Sequence, residues 1–598
     1  MDDNSLTSWQ WVFIGADPWQ LWLALLVLSP FFWLLAITPN RRLGGDKRPG
    51  LATELTLAPP RQPGPKIGVG PLTRFLKHLS SRTWASPHRH RLGPPLAAFL
   101  ACLLFLDTPE VIVDAARYFV QAKSLSEYGL PFFFRQWGIE IFAWTDLPLI
   151  PMLYGLLFSL FGESRLAVQL LNALFLALST MLIAQLGRDL WDEETGQAAA
   201  WLLLGIPYIY SQTPLIMVDI GTMFFLTLAL AGFHRALTRG GGYIALTALA
   251  VVAVLLSKYS AWLLLSGLLP IFCYSLGADR RTWQIRQTWR QVIARAALAL
   301  LPALIVSSWL FWEYRTVMAE QITLLLEFQR PALITGFRES LVSTFFFQIH
   351  PLVTAALLYS LYRAIKRRDL RYLLVAWLVV LLLVILGIER IRYSVPIFPL
   401  LALLAGYGLR DLVDSGLRRH LLLVIVGSSL LLAKGAFLPF LQGFAERNIQ
   451  EAGHLLDTLG AKQATIVVAA EAEEVLDPRI IIPMLDLFTS TKLLAQPELK
   501  EPEPPPWAAK SPLRFSWEMP LPPFYFTTDL DQPQPEILVL IKGSPAAVLP
   551  PELSFKLQNF HKLKHFTTSN SIFQHDPRVM IYILVAEAPG PNLGLADK

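Results

Sequence analysis

Apolar runs long enough to cross a bilayer, each needing roughly 20 residues, recur about a dozen times along this chain. The hydrocarbon core offers backbone N–H and C=O groups no water, so each crossing must be a helix or part of a closed barrel. Barrel strands alternate apolar and polar residues, and these runs do not. The chain therefore reads as a polytopic α-helical membrane protein with about 11–13 transmembrane helices. Composition agrees: 54% of residues are hydrophobic and 16% charged, against about 25% charged in soluble domains.

The candidate spans are 19–38, 94–106, 163–186, 197–212, 218–236, 243–257, 260–276, 292–312, 341–362, 372–388, 393–409 and 420–440. The first run lacks a basic stretch before it and more spans follow, so residues 1–38 read as an anchor that stays rather than a cleaved signal. Lys and Arg in loops set orientation. Segment 39–93 holds eleven Lys and Arg against two acids and is expected to be a basic cytoplasmic linker lying against anionic headgroups. Loops 277–291 and 363–371, with Arg410, Arg418 and Arg419, fall on the same face. Loop 187–196 dissents: it holds Arg188 but also Asp189, Asp192, Glu193 and Glu194. The opposite, periplasmic face receives the first long loop, 107–162, and everything after 440. Cys102 and Cys273 sit inside apolar runs and give no disulfide framework.

The character of the chain changes near residue 445. Ala445–Leu459 reads as an amphipathic helix. Thr465–Ala469, Ile537–Ile541 and Met580–Val585 read as buried strands. A proline-rich stretch, 497–523, is expected to lack regular structure. These features predict a small C-terminal α/β periplasmic domain over 441–590, with a disordered tail at 591–598. The membrane domain then covers 94–440.

Ionisable residues recur at one end of the hydrophobic spans: Asp114, Asp219, Lys258 and the cluster Glu389-Arg390-Ile391-Arg392-Tyr393. Charges near a membrane are costly and usually have a task. Each also has a plain alternative. Asp114 and Asp219 can cap the helices they open, Lys258 can snorkel to the interface, and the arginines can pair with Glu389 or with lipid headgroups. Asp107 and Glu110 are rival carboxylates. After Asp114 comes a helical pattern with Ala115, Tyr118, Phe119, Ala122 and Leu125 on one side, followed by an aromatic-dense stretch through Trp144 that suits the interface.

These motifs resemble the GT-C glycosyltransferases. The order is Asp114-x-x-x-Tyr118, then Gly129, then Pro148 with an apolar helix to Phe161-Gly162. Val218-Asp219-Ile220-Gly221 is similar to that family's second acidic motif, Leu256-Ser257-Lys258-Tyr259 to its lysine turn, and Arg390-Ile391-Arg392-Tyr393-Ser394-Val395-Pro396 to its basic-Tyr-Pro motif. The bacterial members akin to protein O-mannosyltransferases and the lipid A aminoarabinose transferase are the nearest in pattern. The match spans roughly 95–410. The chain departs from the family at Ala115, where an acid often follows the first Asp, at Asp146-Leu147, where a basic residue often precedes the proline, and at Gln169, where Arg is frequent.

The resemblance implies an enzyme of the bacterial inner membrane. It would move a sugar from a polyprenyl-phosphate donor to an acceptor hydroxyl on a lipid, glycan or protein. It implies Asp114 as general base, with Lys258, Arg390 and Arg392 holding the donor phosphate. Tyr393 would add a phenolic hydrogen bond, and Tyr118 and Asp219 would contact substrate. No cofactor or obligatory metal is expected, although Asp114 and Asp219 can share a divalent ion. Membrane lipids are expected partners and nucleic acid is not. The alternative class is a transporter or flippase of a lipid-linked substrate. Carriers tend to carry internal repeats and charges at the bilayer midplane, whereas here no repeat is evident and the charges gather at one face.

Overall fold

The computed structural model describes residues 87–277, 288–329, 344–382, 391–411, 415–469, 476–496, 514–526, 537–543, 557–558, 560–568 and 577–584. The expected anchor 1–38, most of the basic linker, Arg390 and the tail 591–598 lie outside them. Among the described residues six helices are long and apolar enough to cross a membrane: Arg165–Leu190, Asp219–Arg239, Tyr259–Leu276, Trp289–Glu313, Ile391–Leu409 and Gly416–Gln442. Shorter apolar helices, Arg91–Phe105, Leu149–Phe161, Gly242–Leu255 and Leu370–Val380, stand among them.

Local chemistry sets the ends of these helices. Ser164 caps Arg165–Leu190 by accepting from Ala167 N, and Asp192 caps Glu193–Leu204 by accepting from Thr195 N at 2.7 Å. Gly240 and Gly241 take φ of 70° and 62°, a left-handed region that L side chains resist. That turn sends the chain back along Asp219–Arg239 as Gly242–Leu255, which returns Lys258 to the end where Asp219 lies. Gly196 lets two helices touch backbone to backbone, since a Cβ there would stand 2.2 Å from Ala184 O.

Two expected spans are interrupted. The 197–212 run divides into Glu193–Leu204 and Pro207–Gln212, because Pro207 has no N–H to carry the first helix on. The 341–362 run gives Pro351–Arg367 after His350, whose φ is 110°.

At the end of the bundle away from Asp219, the acids of the dissenting loop meet cations, most of them from other segments. Asp189 pairs with Arg235 at 2.6 Å and with Arg239 at 3.0 Å. Asp192 pairs with Arg410, Glu193 with Arg188, and Glu194 with Arg418. Loop 187–196 thus joins the basic loops at one end and offsets part of their charge.

The C-terminal domain is a five-stranded mixed sheet of order β2-β1-β3-β5-β4. Its strands are β1 (Gln463–Ala469), β2 (Lys492–Ala495), β3 (Ile537–Lys542), β4 (Phe560–Phe566) and β5 (Arg578–Leu584). β1 runs parallel to β2 and β3, whereas β5 runs antiparallel to β3 and β4. β3 is buried along its whole length, which suits an apolar run with little alternation. The helix Glu446–Leu459 presents Ile449, Ala452 and Leu456 to the sheet. The proline-rich stretch does contain one short helix, Arg514–Glu518, in the proline-free window between Pro512 and Pro520. The domain's core is continuous with that of the first long loop: Ala115, Phe119, Ile150 and Tyr154 share one apolar cluster with Ile466, Ile481, Phe515 and Val539.

Candidate active site

Asp114 opens the helix Asp114–Tyr128, and Asp219 opens Asp219–Arg239. Neither helix shows a side-chain cap bond, so both carboxylates turn to cations instead of capping. Arg392 lies between them. Its Nη1 donates to Asp114 Oδ2 at 2.7 Å and its Nε to Asp219 Oδ2 at 3.2 Å. Lys258 Nζ donates to the other Asp219 oxygen at 2.5 Å and stands 4.9 Å from the centroid of the Tyr393 ring. Asp219 is 1% exposed, while Asp114 and Arg392 keep about a fifth of their surface. Four chain segments, distant in sequence, therefore bring Asp114, Asp219, Lys258, Arg392 and Tyr393 to one place. Tyr118 lies one turn after Asp114, buried, with its ring 5.3 Å from the Arg117 guanidinium. Lys258 points at a carboxylate rather than out to an interface.

Two further residues complete the cluster. Arg117 follows Asp114 on the same helix, with its Nη1 3.6 Å from Asp114 Oδ1. Its Nε and Nη2 donate to the two oxygens of Asp146. Asp146 also accepts from Gln121 at 3.1 Å, and its backbone carbonyl accepts from Gln321, which in turn accepts from the Tyr259 hydroxyl. Trp144, two residues before Asp146, holds a φ of 51°. That conformation is uncommon for a bulky residue and is kept only where surroundings over-determine it. The face of Phe515, from the C-terminal domain, covers the Arg117 guanidinium at 4.2 Å.

Burial pushes the Asp114 carboxyl up, but Arg392 and then Arg117 more than offset this and hold it below its ordinary value. The Tyr118 phenol is pushed up by burial and by Asp146. The site thus holds a carboxylate kept ionised beside two guanidinium groups and an ammonium.

The rival carboxylates sit elsewhere. Glu110, fully buried, pairs with Arg165 at 2.9 Å and accepts from Ile216 N. Arg165 also holds the Leu106 and Thr108 carbonyls, which makes the pair a staple for the loop. Asp107 accepts from Gln442 and Gln450 and ties the loop to the segment leading into the C-terminal domain. Among the described residues no group of three His, Cys, Asp or Glu is placed to hold a metal ion.

An apolar helical bundle with a partly buried cluster of paired carboxylates and cations at one end, packed against a small α/β domain, defines a polytopic membrane protein with a charged site at one end of its helices. The comparisons with known proteins refine that class. The model of the dolichyl-phosphate-mannose-protein mannosyltransferase family matches residues 146–312. A 155-residue stretch is 32% identical to an undecaprenyl phosphate-alpha-4-amino-4-deoxy-L-arabinose arabinosyl transferase of Pseudomonas aeruginosa, covering 25% of this chain and 26% of the relative. The match thus spans about a quarter of that relative's length. The crystal structure of ArnT from Cupriavidus metallidurans bound to undecaprenyl phosphate aligns with a TM-score of 0.50 at 16% identity, over 84% of this chain and 98% of that one. At that identity the likeness shows the fold. The chain is thus similar to polyprenyl-phosphate-dependent transferases in sequence over about a quarter of its length, and to the ArnT structure in fold.

Proposed function

We propose that this protein transfers a sugar from a polyprenyl-phosphate donor to an acceptor hydroxyl, at the periplasmic face of a bacterial inner membrane. The observation that carries the reading is Arg392 bridging Asp114 and Asp219 beside Lys258. The names of the related proteins, which act on or bind undecaprenyl phosphate species, support the donor class.

The acceptor oxygen attacks the anomeric carbon of the sugar. The bond from that carbon to the phosphate oxygen breaks, and its electron pair leaves with the polyprenyl phosphate. The acceptor's proton passes to Asp114, the general base. Lys258 and Arg392 offset the charge that grows on the departing phosphate, Arg392 through its planar fork and Lys258 as a point charge. Asp219 orients both cations and sets where the phosphate sits. The Tyr393 ring lies against Lys258 and steadies the ammonium. Arg392 lies between the two carboxylates, and the reading assigns the positive charge at the phosphate to Arg392 and Lys258.

The test is purified protein in detergent, supplied with radiolabelled undecaprenyl-phosphate sugars and an envelope extract as acceptor. With no second compartment present, a carrier would leave the donor intact. Wild type should consume it, and Asp114→Asn should slow transfer by about 100-fold or more. Full activity in the Asp114→Asn protein would reject the assignment.

A further inference from the structure

Arg117 has a donor that makes no hydrogen bond among the described residues, although it lies within ion-pair distance of Asp114. Its side chain is 4% exposed. Two of its nitrogens are held by Asp146, while Nη1 is buried and among the described residues meets no hydrogen-bond acceptor. An unpaired buried N–H is costly, so a site that keeps one calls for a reason. The guanidinium cannot turn to satisfy it. Asp146 pins the group on one edge, Gln121 and Gln321 pin Asp146, and Phe515 closes one face.

Beside that donor lies an acceptor with spare capacity. Asp114 Oδ2 is taken by Arg392, whereas among the described residues Oδ1 accepts no hydrogen bond. Oδ1 and Arg117 Nη1 are 3.6 Å apart, too far for a good bond to each other. A single oxygen about 2.8 Å from each would close a triangle over that gap. A hydroxyl is the group that fits, since it donates one hydrogen bond and accepts others.

We propose that Asp114 Oδ1 and Arg117 Nη1 form the subsite for the acceptor hydroxyl. The hydroxyl donates to Oδ1, which is where its proton goes on attack, and accepts from Nη1. The lone pair left over is then free to attack the sugar. This rests on the transferase reading above and adds a division of labour to it. Arg392 and Lys258 serve the donor phosphate, and Arg117 serves the acceptor. It also gives the C-terminal domain a part in the site, because Phe515 fixes the Arg117 plane.

The experiment compares donor and acceptor behaviour in the full-length protein. Replacing Arg117 alone would leave Asp146 buried and unpaired, so the main variant is Arg117→Met with Asp146→Leu. Phe515→Ala is the second, and it leaves the ion pair intact. Binding of radiolabelled undecaprenyl phosphate reads the donor side. Half-saturation by an envelope extract, at saturating undecaprenyl-phosphate sugar, reads the acceptor side. Expected for the double variant is lipid phosphate affinity within about twofold of wild type and acceptor half-saturation raised about tenfold or more, the effect of losing a charge-assisted bond. Phe515→Ala should shift the same way, by less. Weakened lipid phosphate binding, equal losses on both sides, or no change on the acceptor side would each overturn the proposal. A wild-type protein that consumes no donor would sink the transferase reading instead, and Arg117 with it.

Discussion

Arg392 is the side chain whose replacement separates geometry from charge. It reaches two carboxylates through different nitrogens, 2.7 Å to Asp114 and 3.2 Å to Asp219. A lysine at 392 keeps the charge but is shorter and carries its donors on a single atom, so it does not reproduce the reach of two separate nitrogens to Asp114 and Asp219, and Asp219 already has Lys258 at 2.5 Å. Arg392→Lys should therefore lose one charge-assisted hydrogen bond, about 1.5–3 kcal/mol, or roughly 10- to 100-fold in transfer rate. Arg392→Met removes the charge as well. The sign for Asp114 is then fixed by its surroundings. Burial raises its carboxyl, and Arg392 is the largest influence holding it down. Without Arg392 the carboxyl must titrate at higher pH, so the acid limb of the pH–rate profile moves up. In wild type this group should stay ionised across the working range. In Arg392→Met the acid limb should lie at higher pH than in wild type. Arg392→Lys should show the rate loss with a much smaller shift of the limb. The assay is the pH dependence of kcat/KM for an undecaprenyl-phosphate sugar, taken in detergent on the folded fraction. Matching acid limbs in wild type and Arg392→Met would refute the reasoning, because Asp114 would then not be the group whose ionisation the reaction needs.

Three further outcomes follow from the same contacts. Glu110→Gln should cost about 2 kcal/mol of stability, from the weakened bond to Arg165 in a fully buried setting, while the surviving folded protein transfers at the wild-type rate. A normal melting temperature with activity lost would return Glu110 to the list of catalytic carboxylates. Lys123 reaches Asp486 at 2.7 Å and Glu163 at 2.8 Å, and Tyr525 also donates to Asp486. Lys123→Met should loosen the C-terminal domain by about 3 kcal/mol, read as faster proteolysis near its junction with the bundle, and Asp486→Leu added to it should recover much of that. Gly196→Val should fail to give a monodisperse peak in size-exclusion chromatography, since its Cβ would strike Ala184 O, a backbone atom that cannot swing away.

Much of the bundle was legible because lipid leaves the backbone one choice. Runs such as 163–186 and 218–236 become the helices Arg165–Leu190 and Asp219–Arg239 with ends shifted by a few residues. The reading failed where length alone was trusted. The 197–212 run is apolar enough to span, yet Pro207 breaks it, and a proline inside an apolar run should outweigh the run's length. The acids of loop 187–196 looked anomalous because sequence shows charge but not pairing. Their partners, Arg235, Arg410 and Arg418, are supplied by other helices. In the C-terminal domain the buried strands β1, β3 and β5 announced themselves by apolar runs. β4, whose sequence is Phe560-His561-Lys562-Leu563-Lys564-His565-Phe566, did not, since it is an exposed edge strand with little to bury.

At the site, the residues legible in advance were those that open or cap a helix after an apolar run: Asp114, Asp219, Lys258 and Arg392. An isolated charge in such a place is conspicuous by its cost. Arg117 and Asp146 were not assigned, although both were in view. Arg117 stands three residues after Asp114, a spacing that puts both on one helix face, and Asp146 read only as a departure from a pattern that favours a basic residue. The structure joins the two residues. With Leu147 apolar and Asp146 acidic, the loop before Pro148 supplies no cation, and its carboxylate pairs with Arg117 instead. That pairing leaves Arg392 and Lys258 as the described cations beside Asp219, and it turns Arg117 toward Asp114 from the other side. The Asp114 carboxylate thereby meets a different guanidinium at each of its oxygens, Arg392 at Oδ2 and Arg117 near Oδ1, which is the arrangement that the proposed division between donor and acceptor rests on.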